Sequence, residues 1–125
     1  MTVLRMYSEF REKFPYVTEK VDLEHIEYWG VLDDEQCYCW FESLAKTINL
    51  DMAKGEDPNT YTDIFEFLRS AYLKENDSVK KCIDVSFTEN LFWEISAEKA
   101  EPFWLKFPDL LKGLYVAFHN RTPVA

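Results

Sequence analysis

Apolar residues recur along this chain at three- and four-residue intervals, the spacing that lines one face of an α-helix and does not suit a strand. Val3, Met6, Tyr7, Phe10 and Phe14 form the first stripe, which ends at the Phe14-Pro15 step because proline disfavours helical geometry in the residue before it. Pro15 opens a second helix at its first turn, running through Val17, Val21 and Ile26 to a stop at Gly30. Asp33 or Asp34 is the N-cap of a third, whose stripe is Cys37, Trp40, Phe41, Leu44, Ala45, Ile48 and Met52, with Gly55 just past its end. A polar loop at Glu56-Asp57-Pro58-Asn59 precedes a fourth helix with Tyr61, Ile64, Phe65, Leu68 and Tyr72. Asn76-Asp77-Ser78 recaps the chain for a fifth, with Val79, Cys82, Ile83 and Phe87 inward and Leu91 as its outer limit.

The last stripe, Phe103, Trp104, Phe107, Leu111, Leu114, Tyr115 and Phe118, is interrupted by Pro108, so a kink or a fresh helix start is expected there. Alternation over Ile83 to Thr88 has the look of a strand, but a lone strand has nothing to pair with, and the helical reading prevails. Three glycines in 125 residues are too few for a fold rich in tight turns. The length suits one core, and 47% hydrophobic residues can fill it. The expectation is an all-α, single-domain bundle of five to seven helices over residues 1–125.

Charge is unevenly placed. The chain carries −9 overall, yet residues 15–66 alone hold thirteen acids against three bases, while residues 67–125 balance eight against eight. Nucleic-acid binding needs a basic footprint, so nucleic acid is not an expected ligand, and anionic membrane surfaces are disfavoured on the same ground. The longest apolar runs, Cys37 to Phe41 and Leu114 to Phe118, are far short of the ~20 residues that span a bilayer. The N-terminal residues, among them Arg5, Ser8, Glu9 and Arg11, have no apolar signal-peptide centre. With three cysteines that cannot all pair, this points to a reducing cytoplasm.

Catalytic and metal chemistry is weakly represented. Cys37 and Cys39, two apart on a helix, point about 200° from one another and cannot close on one ion. Cys37 also belongs to the apolar stripe and reads as a small hydrophobe. Asp22 and His25 have the i, i+3 spacing of a metal pair, but a second such motif is missing; His25 is read as a surface or partner-facing residue. No serine is flanked by glycines as in a nucleophile elbow, and Asp33-Asp34-Glu35 suits helix capping better than acid–base work. No enzyme activity, cofactor or metal is therefore expected.

What remains is an acidic block enclosing aromatics. Glu24, Glu27, Tyr28, Trp29, Asp33, Asp34 and Glu35 fall within twelve residues, with Glu56 and Asp57 further along. Such a block is either a solvated face that keeps the protein soluble or, if Tyr28 and Trp29 are exposed, a docking surface for a basic protein with those rings as anchors.

Three segments carry a resemblance. The Val85-Ser86-Phe87-Thr88-Glu89-Asn90-Leu91 stretch, Tyr28-Trp29-Gly30 after an acidic helix, and the aromatic terminal helix from Pro102 are together similar to a family of small all-helical bacterial immunity proteins, the antidotes encoded beside polymorphic or contact-dependent toxins. The resemblance implies a cytoplasmic inhibitor that binds a cognate toxin domain and occludes its active site; the acidic block, whose carboxylates can stand in for phosphates, makes a basic nuclease the expected toxin. It brings no set of binding residues with it, so the candidates rest on charge. A helical adaptor or regulatory module without catalytic activity is the other reading of the same features.

Overall fold

A computed structural model describes residues 2–74 and 76–124. Seven α-helices follow one another among these residues: α1 (Val3–Lys13), α2 (Pro15–Trp29), α3 (Cys37–Lys54), α4 (Thr62–Tyr72), α5 (Asp77–Lys81), α6 (Ala97–Lys106) and α7 (Asp109–His119). Short 3₁₀ turns, Asp34–Gln36 and Pro58–Tyr61, lead into α3 and α4, and a π-helix, Cys82–Thr88, continues α5. No described residue lies in a strand. No described helix is long and apolar enough to cross a membrane.

The boundaries fall where the local chemistry sets them. Thr2 caps α1 through its hydroxyl, which accepts from the Arg5 N–H at 3.1 Å. Pro15 starts α2 at once after the break at Phe14. Gly30 ends α2 with φ +83, a left-handed conformation that costs a glycine little and leaves its N–H free to bond Ile26 O. Asp33, rather than Asp34, is the cap ahead of α3: its carboxylate accepts from the Glu35 N–H at 2.9 Å and so caps the 3₁₀ turn. Pro108 divides the last stripe into α6 and α7.

α3 is the central element. All seven members of its expected stripe are buried, and they meet α1, α2, α6 and the π-helix. Around it the core is aromatic: Phe10 and Tyr7 of α1 pack edge-on against Trp40, while Phe92, Trp104, Phe107 and Tyr115 form a second cluster at the α6–α7 end. Edge-to-face rings add to the stabilisation that their buried area already gives.

Two expectations change. The fifth helix is five residues of α-helix followed by seven of π-helix, where Glu89 N–H bonds to Asp84 O five residues back. Its buried side chains pair five apart, Cys82 with Phe87 and Ile83 with Thr88, which is the spacing a wider turn brings onto one face. The second correction concerns α2. Its inward face is Val17, Val21 and His25, at i, i+4 and i+8, so Ile26, one step further round, is exposed and His25 is wholly buried. An imidazole takes the inward place because Ser43 of α3 bonds it there.

Candidate docking face

α2 is the helix on which the acidic and aromatic residues meet. Its inner side is held by two polar clusters. Near the middle, the Asp22 carboxylate accepts both guanidinium N–H groups of Arg11 on α1 at 2.8 Å, and its Oδ1 also accepts from Trp40 Nε1 at 2.8 Å. A two-pronged arginine–carboxylate pair is directional as well as strong, so it sets how α2 lies on α1. Nearer the start, Lys20 donates to Asp51 Oδ2 at 2.6 Å, and the Tyr61 hydroxyl donates to the same oxygen. Burial, with Asp51 beside it, drives the Tyr61 phenol far above its ordinary range.

Beyond these anchors, the outer side of α2, its last turn and the loop after it reach solvent. Leu23 is 67% exposed, Tyr28 63% and Trp29 39%, and Ile26 and Val31 are exposed too. Acids surround them: Glu27, Asp34 and Glu35 are exposed, Glu24 and Asp33 half-buried. Tyr28 is not a free-swinging ring. The Lys46 ammonium of α3 lies 3.3 Å from its centroid and 3.7 Å from Glu42, which holds the phenol against α3 by cation–π attraction. Tyr28 and Trp29 meet edge-on at 5.5 Å, and Trp29 in turn lies 6.2 Å from the buried His25 ring. His25 binds its proton less tightly than an ordinary histidine because it is buried; Asp22 and Glu42 oppose that shift and Lys46 adds to it.

The nine residues singled out from the sequence do not form one site. Seven of them, Glu24, Glu27, Tyr28, Trp29, Asp33, Asp34 and Glu35, gather where α2 ends and α3 begins. Glu56 and Asp57 follow the other end of α3, whose 18 residues span about 27 Å at 1.5 Å per residue. There Asp57 caps the 3₁₀ turn by accepting from the Asn59 N–H. Two of the seven have intramolecular duties as well: Asp33 is a cap, and Asp34 acts on the Tyr7 phenol, which burial pushes up to about 12.

Exposed apolar residues of α2 besides Tyr28 and Trp29 went unrecognised. Leu23 was never singled out, and Ile26 was assigned to the core. The signal was available in the apolar residues of α2, which occur all round the helix instead of along one stripe.

Other surfaces bring less together. An open groove of about 880 Å³ between α1 and α4 has Phe67 and Ala71 at its base, with Glu9, Glu12, Lys13 and Glu66 among its walls. Cys37 and Cys82 are buried, Cys39 half-buried, and all three are free. Among the described residues, no group of three or more histidine, cysteine, aspartate or glutamate side chains is placed to hold a metal ion.

Fold and surface together define a small all-α protein with one acidic, aromatic-bearing helix face. A family model described as a domain of unknown function, DUF7674, matches residues 7–121, and the chain belongs to that family. No curated protein and no solved structure matches the chain.

Proposed function

We propose that this protein is a binding module for a basic protein partner, and that the partner is the toxin domain implied by the resemblance to immunity proteins. The supporting observation is the exposed end of α2, where Tyr28, Trp29 and Val31 stand in solvent close in sequence to several carboxylates. Large apolar rings within a ring of charge have the character of interface anchors. Carboxylates steer a basic partner toward them and speed encounter, to ~10⁸–10⁹ M⁻¹s⁻¹ at low salt in favourable cases. On a nuclease the same carboxylates would occupy the place of substrate phosphates, and the mechanism is occlusion.

Co-expression with the product of the gene immediately upstream tests the reading. A basic C-terminal domain that is toxic alone, harmless beside this protein and co-purified with it is the expected result. A harmless neighbour, or toxicity that persists despite expression of this protein, contradicts it.

A further inference from the structure

His25 is fully buried between α2 and α3. Its Nδ1 lies 2.8 Å from Ser43 Oγ, whereas its Nε2 is sealed from solvent with no hydrogen-bond partner in the protein. A neutral imidazole tolerates that environment, because one nitrogen pairs with the hydroxyl and the other is idle. An imidazolium does not: both its nitrogens donate, and the Nε2 N–H would be a buried charged donor with no acceptor.

Counter-charge is close but committed. The Asp22 carboxylate is taken up by Arg11 of α1 and by Trp40 Nε1. Glu42 of α3 faces Lys46, and the Lys46 ammonium itself opposes a second positive charge in the seam.

We infer that His25 is an acid-sensitive latch between α2 and α3: a second ring proton ejects the imidazole from the seam, and the last turn of α2, with Trp29 packed over that ring, comes away from α3. The sign follows from burial, which lowers the proton affinity of the closed state below that of the open one. Closure is therefore fully favoured above the ordinary histidine range near ~6.5 and is lost as pH falls through it toward the lower value of the closed form. The latch works on the protein alone and does not depend on the docking reading.

Nitrogen-15 imidazole spectra of the intact chain from about pH 8 to pH 4.5 test this, with His119→Asn separating the two rings. The His25 ring should remain neutral below the ordinary range near ~6.5 while the fold is closed. Amide exchange at residues 25–29, corrected for intrinsic rate, should speed severalfold relative to central α3 at about pH 5.5, where one proton with an open-state value near ~6.5 allows about tenfold at most. His25→Gln, which keeps a group able to bond Ser43, should lose that acceleration. A His25 ring that titrates at or above about 6.5 in place, acceleration spread equally over the chain, or equal acceleration in His25→Gln overturns the latch. Should His25→Gln fail to fold, the ring titration and exchange of the unaltered protein decide alone.

Discussion

Replacing Asp22 with alanine removes the group that fixes α2 on both of its neighbours. Two partners are left behind. Trp40 is 1% exposed, so its Nε1–H would have no water to turn to, and an orphaned buried donor costs about 1–3 kcal/mol. The Arg11 side chain is 30% exposed and can rehydrate, so loss of its ion pair adds about 1 kcal/mol or less. The sum, about 1–4 kcal/mol, is a large part of the 5–15 kcal/mol typical of a domain. Asp22→Asn separates the two contributions. Its amide oxygen still accepts from Trp40, so it should lose only the ion-pair contribution, about 1 kcal/mol or less. Urea denaturation followed by far-UV circular dichroism measures both variants. If Asp22→Ala lies within about 0.5 kcal/mol of the unaltered protein, inside the range of an ordinary surface change, the Trp40 bond is not the anchor described. Equal losses in Ala and Asn variants would place the whole effect in charge and refute the reasoning.

Three other outcomes follow from single residues. Asn49, buried on α3, accepts from Phe92 N–H at 2.8 Å and donates to Asn90 O at 2.9 Å, holding a turn in which Phe92 and Glu94 have left-handed φ; Asn49→Ala should cost about 2–4 kcal/mol in urea melts, and a loss below about 1 would count against it. Burial raises the Asp84 carboxyl above the usual range, so the folded chain bears a charge penalty above that value that is relieved as pH falls; Asp84→Asn should melt higher at neutral pH, with the gain vanishing in acid, and an unchanged or lower neutral melting point would refute this. Burial raises all three thiols, Cys82 up to about 12, so access decides the order and a disulfide reagent at mild alkaline pH should modify half-buried Cys39 first; a fast phase that survives Cys39→Ser would show that the thiol order is wrong.

Helix positions were legible because their causes are local. The α3 stripe, the breaks at Pro15 and Pro108 and the stops at Gly30 and Gly55 all rest on residues within a turn of one another. Features that depend on distant partners were not. His25 faces inward because of Ser43, 18 positions away, and a lone histidine beside an isoleucine gives no sign of it. Asp22 looked like half of a metal pair with His25, whereas it spends its oxygens on Arg11 and Trp40. The Lys20–Asp51–Tyr61 cluster, half-buried at Lys20 and buried at the other two, joins positions up to 41 apart, and nothing in their local spacing announces it. The acidic block was visible as composition, yet separating Glu56 and Asp57 from the rest required knowing that the full length of α3 lies between them.

Docking of a basic partner at the end of α2 is the proposed role of this protein. Association and dissociation rates against the toxic domain of the upstream gene product, measured across a series of salt concentrations, test it most directly. Reversing Asp33, Asp34 and Glu35 together should slow association and flatten its salt dependence with the fold intact. Trp29→Ala should speed dissociation about tenfold or more, as expected of an anchor ring, while reversing Glu94, Glu98 and Glu101 leaves both rates nearly unchanged. If the Glu94, Glu98 and Glu101 reversals abolish binding while the α2-end variants bind normally, the docking face is elsewhere.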